Sequence, residues 1–334
     1  MRITARLLPF SKGGADRALF ADALSAQQVS AAQLNTKRFH VKHIFIFLVL
    51  LTQSVNLAFA LTLPEKVLFP SLGESSPTIL TGYLYRPSKP AESKSAIVLA
   101  HGCSGMIDDK GGIKRGVKHW AARFTEKGYV VLAVDSFNPR GHKEVCTQFK
   151  RPILESRERP RDAYGALNYL AAQSFVDKDR VVLMGFSHGA TGALYAIEDD
   201  GKPHKLAKSA NIAFRAALAF YPGCTNAYKA RLKFAIAVGI FIGADDDWTP
   251  AAPCKALIEL NQSRRSSEKR AEYFDYPGAY HAFDVPGTTV RVRRDVRMSN
   301  QLGLADGVHV GGNEAAGVAA QQDVDAFLAR VMGK

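Results

Sequence analysis

Ser187 stands in the pentapeptide Gly185-Phe186-Ser187-His188-Gly189, which follows an apolar, β-branched run and precedes a segment of small residues. This order predicts a strand, a sharp turn and a helix, with the serine hydroxyl exposed above a sheet. Glycines are needed on both sides of such a serine because a Cβ there would collide with the neighbouring strand and helix. We therefore interpret Ser187 as a nucleophile. A helix-capping serine at an ordinary strand-to-helix turn is the structural alternative.

A serine hydroxyl is a poor nucleophile at neutral pH, so it needs a base and an acid that orients the base. Three consecutive aspartates at 245–247 follow a later apolar run, and His281 follows the next one. Serine, acid and histidine thus occur in the chain order of α/β-hydrolases. We predict His281 as the base and rank His309 below it, because His309 lies further from a strand end. Spacing alone does not choose among the three aspartates.

Two backbone N–H groups must face the oxyanion that forms when the serine attacks a carbonyl carbon. One is expected from His188, directly after the nucleophile. The other is expected from Cys103, in the tight turn formed by residues 101–105. Ser104 lies in the same turn but lacks a strand-turn-helix setting, so it is not the predicted nucleophile.

Four large apolar side chains follow predicted strands and are candidates for lining an acyl pocket. They are Met106, Phe137, Trp248 and Phe283. In the alternative interpretation they cap the core, as aromatic and methionine side chains at strand ends often do. Arg140 is left out of the predicted site, since such an arginine more often pairs with a carboxylate such as Asp135. No metal or organic cofactor is predicted, because the remaining histidines lack ligand spacing.

The elements that position these residues are visible as apolar runs. Six nearly all-apolar runs predict buried parallel strands at 96–100, 129–134, 181–184, 216–221, 234–242 and 271–276. An alternating run at 78–85 predicts an antiparallel edge strand. Helical periodicity at 117–124, 163–170 and 324–331 predicts amphipathic helices between and after the strands. The alternation predicts an α/β fold, a mostly parallel sheet with helices on both faces, and the irregular segment 284–313 is a candidate lid.

Composition and charge fit a globular protein with a large core. The chain has 334 residues, of which 47% are hydrophobic and 22% are charged. We predict a single domain over residues 61–334, since no repeat or long linker follows residue 60. The net charge is +13, but no dense basic run with interleaved aromatics occurs, so no nucleic-acid partner is predicted. The arginine-rich stretch at 291–294 is expected to be a solvated loop.

Residues 41–60 have the three parts of a secretory signal peptide: a short positive start, an apolar core and a small-x-small cleavage site at Ala58-Phe59-Ala60. The apolar core is too short to span a bilayer. An exported protein, periplasmic or secreted, is therefore predicted, with an N-terminal anchor as the alternative. Residues 1–40 form an unusually long extension before such a signal and show no core pattern.

Export determines how the four cysteines are interpreted. They lack CxxC spacing, so a zinc site or a redox pair is not predicted, and an oxidising compartment favours two disulfides. Four cysteines allow three pairings. We favour Cys103–Cys146 and Cys224–Cys254, because each pair would lie on loops that follow neighbouring strands at the same end of the sheet.

Taken together, the motifs resemble those of the dienelactone hydrolase family of α/β-hydrolases. The resemblance covers about residues 65–332, through His101-Gly102, Asp135-Ser136-Phe137, Pro139-Arg140-Gly141, the Ser187 turn, Gly243-x-x-Asp246 with Pro250, and His281-x-Phe283. The family's Gly-x-x-Asp-x-x-x-Pro spacing implies that Asp246 is the acid, with Asp245 and Asp247 as neighbours. The paired cysteines also look similar to those of secreted members.

Three positions depart from the family pattern. The name-giving enzymes use a cysteine where this chain has Ser187, and they carry an acidic residue near the position of His101-Gly102. Their arginine shortly after the histidine has no match at Val285 or Pro286. The resemblance therefore implies a carboxylesterase with a small-molecule ester substrate rather than dienelactone. A serine exopeptidase or polyesterase, and a non-catalytic binding protein on the same fold, are the alternatives.

Overall fold

The computed structural model describes residues 63–73, 76–89, 91–264, 271–297 and 307–333. The predicted signal peptide and the extension before it lie outside the described residues. Among the helices of the described ranges, none combines the length and the apolar character needed to cross a bilayer.

The central element is an eight-stranded sheet in the order β1-β2-β4-β3-β5-β6-β7-β8. Its strands are β1 (Glu65–Pro70), β2 (Ile79–Tyr85), β3 (Ala96–Ala100), β4 (Val130–Asp135), β5 (Val181–Phe186), β6 (Ala216–Phe220), β7 (Ala237–Gly243) and β8 (Ala271–Tyr276). Strands β1 and β2 form an antiparallel edge, and the other six strands are parallel. The predicted mostly parallel α/β architecture is therefore confirmed, and β1 adds a half-exposed edge strand that was not predicted separately.

Helices cover both faces of this sheet. They are α1 (Arg115–Glu126), α2 (Glu158–Ala171), α3 (His188–Ala196), α4 (Lys202–Ser209), α5 (Thr225–Lys229), α6 (Ala251–Gln262) and α7 (Glu314–Met332). Ile97 and Leu99 of β3 lie in one core with Trp120 of α1, whereas Ala96 and Val98 lie in a second core with residues of α2. Successive side chains of a strand point to opposite faces, so a strand covered on both sides must be apolar throughout.

The segment at 284–313, expected to be irregular, contains a short antiparallel pair. Strands β9 (Arg291–Arg293) and β10 (Val308–Val310) are joined in register, with Val310 opposite Arg291. Val310 also forms a parallel bridge with His281. The β9–β10 pair therefore lies against the loop that follows β8, at the carboxyl end of the sheet.

Two disulfides tie the loops at this end of the sheet together. They are Cys103–Cys146 and Cys224–Cys254, the pairing that the loop positions favoured. The first joins the loops after the neighbouring strands β3 and β4. The second joins the residue before α5, after β6, to α6, after β7. Two disulfides are typical of a protein that folds in an oxidising compartment.

Candidate active site

Ser187 is held in a strained turn between β5 and α3. Its φ of 50° and ψ of −117° lie outside the conformations usual for a residue with a side chain. The Ser187 N–H donates to the carbonyl oxygen of Phe220 on β6 at 2.9 Å, and the Ser187 carbonyl accepts from the Thr191 N–H at 2.8 Å. These two bonds fix the turn from the sheet side and from the helix side.

The glycines that flank Ser187 are required by close backbone approaches. A Cβ on Gly185 would lie 2.3 Å from the carbonyl oxygen of Gly189, and a Cβ on Gly189 would lie 2.2 Å from that of Ala100. Neither contact can be relieved by a side-chain rotation, because the opposing atoms belong to the backbone. This is the collision that the pentapeptide pattern implied.

The hydroxyl, the imidazole and one carboxylate form a continuous hydrogen-bond chain. His281 Nε2 lies 2.9 Å from Ser187 Oγ, and His281 Nδ1 lies 2.8 Å from Asp246 Oδ2. An ionised carboxylate can only accept, so we assign the imidazole proton to Nδ1, which leaves Nε2 as the acceptor for the serine O–H. The structure thus brings together the three residues that the sequence predicted as a set.

Asp246 is buried and held by donors from its own loop. Its Oδ1 accepts from the N–H groups of Trp248 at 2.9 Å and Thr249 at 2.8 Å, and the Thr249 hydroxyl donates to Oδ2 at 2.9 Å. Asp246 is only 3% exposed, whereas Asp245 and Asp247 are exposed to solvent. Asp246 is therefore the aspartate of the three that hydrogen-bonds the imidazole of His281.

The rival histidine, His309, is engaged elsewhere. Asp247 Oδ1 accepts from the His309 N–H at 2.8 Å, and Asp247 Oδ2 lies 2.6 Å from His309 Nδ1. The structure thus contains two adjacent histidine–aspartate pairs, and the pair that includes His281 is the one that reaches Ser187.

Aromatic side chains pack around the imidazole of His281. The ring centroids of Tyr221 and Trp248 lie 4.6 and 4.7 Å from that of His281. The Tyr221 hydroxyl donates to Asp284 Oδ1 at 2.8 Å, and Trp120 Nε1 donates to Asp284 Oδ2 at 2.7 Å. Burial raises the pKa of the Asp284 carboxyl and the pKa of the Tyr221 phenol. Sequence reasoning missed both residues, although an aspartate directly after Phe283 was a visible signal of a buried polar contact.

The two residues whose amides are predicted to form an oxyanion hole lie at a narrow recess beside the serine. Cys103, Ser187 and His188 line this recess together with Trp248. Within the described ranges, neither the Cys103 N–H nor the His188 N–H donates to a protein acceptor. The His188 N–H is unpaired because it belongs to the first turn of α3. Two N–H groups without a protein acceptor thus belong to residues that line the same recess as Ser187, which is consistent with the predicted oxyanion hole.

The side chains next to these amides are neutral and buried. Burial and the nearby guanidinium of Arg159 hold the pKa of His101 and the pKa of His188 well below the usual histidine value. Arg159 donates to the His101 carbonyl oxygen at 2.7 Å, and the Ser136 N–H donates to His101 Nε2 at 3.2 Å. His101 therefore anchors the turn that carries Cys103 to the loop after β4.

Arg140 has a structural partner, as the sequence suggested, although the carboxylate differs. Its two terminal nitrogens donate to Asp162 at 2.8 and 2.7 Å, and one of them also donates to the Ser136 carbonyl oxygen. Asp135, the partner expected from the sequence, instead accepts from the Phe137 and Asn138 N–H groups. Both carboxylates therefore stabilise the loop after β4.

A cleft of about 1250 Å³ opens at Ser187, and its lining corrects the pocket prediction. Of the four predicted side chains, Trp248 lines it. Met106, Phe137 and Phe283 are at most 1% exposed and lie in the core. They follow the pattern in which large apolar groups at strand ends cap the core, because the adjacent loops turn them inward.

The arginine-rich stretch is largely exposed to solvent, as predicted, but its first three residues form β9 instead of a loop. Arg291, Arg293 and Arg294 also line one wall of the cleft. Arg293 lies with its guanidinium carbon 5.9 Å from the Trp248 ring centroid and pairs with Asp295. The cleft wall also includes Asp108, Asp109 and Glu144, so its charge is mixed. Over the described ranges, no group of three or more histidine, cysteine or carboxylate side chains could hold a metal ion.

Comparisons with known proteins point to one family. The model of the dienelactone hydrolase family matches residues 80–331. A curated protein of Bradyrhizobium, named "Probable 2-oxo-3-(5-oxofuran-2-ylidene)propanoate lactonase", is 26% identical over 180 residues, which cover 52% of this chain and 69% of that protein.

Two solved structures share the architecture. A thermophilic esterase of Thermogutta terrifontis matches with a TM-score of 0.51 at 18% identity, over 82% of this chain and 96% of that chain. A dienelactone hydrolase-like promiscuous phosphotriesterase from metagenomic libraries matches with a TM-score of 0.53 at 20% identity, over 80% and 99% of the two chains. At these identities the two structures support the fold alone.

Proposed function

The chain belongs to the dienelactone hydrolase family and is a hydrolase, and from this premise we propose that it cleaves carboxylic esters of small molecules by a serine mechanism. The observation that carries the proposal is the chain of hydrogen bonds from Ser187 Oγ through His281 to Asp246, with distances of 2.9 and 2.8 Å. Both distances lie within the range in which a proton passes between a nucleophile and its base.

In the proposed reaction Ser187 Oγ attacks the ester carbonyl carbon while its proton passes to His281 Nε2. Asp246 holds the Nδ1 proton and stabilises the imidazolium that forms. The Cys103 and His188 N–H groups would bind the oxyanion. The tetrahedral intermediate then expels the alcohol, which takes the proton from Nε2, and an acyl-serine remains. Water, deprotonated by His281, attacks the acyl carbon, releases the carboxylic acid and restores the Ser187 hydroxyl.

The departures from the family pattern support an ester other than dienelactone. The nucleophile position holds Ser187, and His101 occupies the loop where the name-giving enzymes carry an acid. His101 carries an imidazole, so this loop lacks the carboxylate that restrains the cysteine of the name-giving enzymes. A serine nucleophile without that carboxylate suits general carboxylic esters.

We also propose that residues 61–334 are the mature, exported domain. Both disulfides support this proposal, because they form and persist outside the reducing cytosol. Mass spectrometry of protein recovered from the periplasm and the medium tests it. An N-terminus at Leu61 with all four thiols oxidised is expected, whereas full-length cytosolic protein with free thiols would contradict it.

The mechanism is tested by trapping and by kinetics. A fluorophosphonate probe should label Ser187 in the wild type, and Ser187→Ala should lose both the label and at least about 10⁴-fold in kcat with p-nitrophenyl acetate. Ser104→Ala is the matched control and should retain labelling. Labelling at Ser104, or equal rates for wild type and Ser187→Ala, would refute the mechanism. Hydrolysis of aminoacyl p-nitroanilides in preference to esters would favour the exopeptidase alternative.

A further inference from the structure

A second histidine–aspartate pair lies one residue further along from the proposed acid. The Asp247 carboxylate accepts two hydrogen bonds from His309, one from the backbone N–H at 2.8 Å and one from Nδ1 at 2.6 Å. The ring of Tyr280, directly before His281, stacks on the His309 ring with centroids 4.7 Å apart. The pair is about 40% exposed, so water reaches it.

The backbone next to His309 is joined to the backbone of His281. Val310 forms a parallel bridge with His281, and the Gly311 N–H donates to the His281 carbonyl oxygen at 3.0 Å. Two consecutive residues, Asp246 and Asp247, therefore contact His281 and His309, and the two residues after His309 are joined to the backbone of His281. The two histidine–aspartate contacts, the backbone pairing and the chain itself thus form a closed ring of connections that includes His281.

We infer that Asp247 and His309 are positioning residues that hold His281 in place for the reaction. They join β10 to the loop that carries Asp246, and Val310 of β10 and the next residue, Gly311, in turn fix the backbone of His281. The inference rests on the proposed function, because its consequence for rate requires His281 to be the base. The pair itself lies outside the hydrogen-bond chain to Ser187 and takes no proton from it.

The loop at His281 needs such external restraint. Ala282, the next residue, has a φ of 59°, which a residue with a Cβ adopts only when surrounding contacts enforce it. An exposed ion pair adds little to global stability. Its loss should instead appear in the placement of the imidazole, and misplacing a reacting group by about 1 Å can cost about 100-fold in rate. We expect a partial loss of about 10-fold, since the backbone bonds of Val310 and Gly311 remain.

Four variants and one control test the inference with p-nitrophenyl acetate. Asp247→Ala and His309→Ala should each lower kcat about 10-fold and leave KM within about two-fold. His309→Asn should recover most of the activity, because its amide nitrogen can donate to Asp247 in place of Nδ1. The double variant should be no slower than Asp247→Ala, as expected of two residues that act as one contact. Asp245→Ala, which removes the exposed neighbouring carboxylate, should match the wild type.

A spectroscopic measurement separates this inference from the proposed function. The downfield proton resonance of His281 Nδ1–H, hydrogen-bonded to Asp246, should be sharp in the wild type and in Asp245→Ala. It should be broadened by faster solvent exchange in Asp247→Ala and His309→Ala. If the wild type hydrolyses no ester but these spectra are as expected, the proposed function fails and the positioning role stands.

Other outcomes overturn the positioning role. Wild-type kcat and an unchanged resonance in Asp247→Ala and His309→Ala would do so, and so would a lowered melting temperature without any change in kcat. If both alanine variants fail to fold, His309→Asn still decides the matter. His309→Asn should then have the wild-type kcat and the wild-type His281 resonance. A loss of about 10-fold in kcat in this variant would refute the role of His309 Nδ1.

Discussion

Replacing Asp284 by alanine should destabilise the protein and slow ester hydrolysis, whereas asparagine should preserve most of both properties. The Asp284 carboxylate accepts hydrogen bonds from Trp120 Nε1 at 2.7 Å and from the Tyr221 hydroxyl at 2.8 Å. All three side chains are buried. Alanine leaves these two buried donors without their acceptor.

The magnitude follows from these two donors. A buried donor without a partner costs about 1–3 kcal/mol. Removing the carboxylate offsets part of this destabilisation, because burial disfavours the charged form of Asp284 and raises its pKa. We expect a net loss of about 3 kcal/mol in the free energy of unfolding from Asp284→Ala. For a domain of this size the melting temperature should fall by about 6 °C.

Asparagine keeps both contacts in a changed form. Its amide oxygen can accept from Trp120 Nε1, and its amide nitrogen can donate to the Tyr221 hydroxyl oxygen. The melting temperature of Asp284→Asn should therefore stay within about 2 °C of the wild type. Rate should follow the same order, because the Tyr221 ring packs on His281 at 4.6 Å and alanine removes the anchor of that ring.

Differential scanning calorimetry and p-nitrophenyl acetate kinetics at neutral pH check both effects. Asp179→Ala, which removes an exposed carboxylate that pairs with Lys178, is the control and should cost less than about 1 kcal/mol. A melting temperature of Asp284→Ala within about 1 °C of the wild type would refute the expected cost of the two unpaired donors. Equal losses for alanine and asparagine would show that the charge of Asp284 matters rather than its hydrogen bonds.

A double serine variant that removes Cys224–Cys254, which closes a loop of 30 residues, should lower the free energy of unfolding by about 4 kcal/mol in denaturant titrations. Removing Cys103–Cys146 should cost a similar amount and also lower kcat, because Cys103 carries a proposed oxyanion amide; an unchanged kcat would count against that role. Gly189→Ala should abolish native folding, since its Cβ would lie 2.2 Å from a backbone oxygen, whereas Gly317→Ala, with no atom nearer than 3.7 Å, should raise the melting temperature by up to about 2 °C; equal melting temperatures would contradict both expectations. Because the pKa of Asp284 is raised from 3.8, its contribution to stability is fully present below that value and is lost as pH rises through the raised pKa. The wild type should therefore gain stability relative to Asp284→Asn as the pH falls in calorimetric scans, and a constant difference would show that Asp284 does not titrate in this way.

The parallel strands could be predicted because strands that are buried on both faces consist almost entirely of apolar residues. Strands β3 and β8 have the predicted bounds, and the other parallel strands differ from prediction by up to three residues at an end. Strand β1 was not predicted separately, since its first two residues are exposed and its pattern is weak over six residues. Strands β9 and β10 have three residues each, too few for a periodic signal, and they form because the folded loop brings them together.

The site residues also differ in how far the sequence alone could predict them. Ser187 and His281 follow from the order of strands and motifs, because the carboxyl ends of parallel strands meet at one edge of the sheet. Asp246 was separated from its neighbours only through the family resemblance, since the direction of a loop side chain depends on tertiary contacts. The same dependence explains why the lining role predicted for Phe283 was wrong, and why Tyr221 was missed.

Three of the six described non-glycine residues with a positive φ lie where the proposed chemistry takes place. They are Ser187, Tyr221 and Ala282, with φ values of 50°, 42° and 59°, and each follows a strand end or a catalytic candidate. Strain of this kind costs about 1–3 kcal/mol per residue and persists only where the surroundings over-determine the backbone. Three hydrogen bonds restrain these residues. The Ser187 N–H donates to the Phe220 carbonyl oxygen and the Tyr221 hydroxyl donates to Asp284. The Gly311 N–H donates to the carbonyl oxygen of His281, the residue before Ala282. Because these bonds come from elements distant in sequence, the strained geometry is a property of the assembled sheet end and not of the local motif.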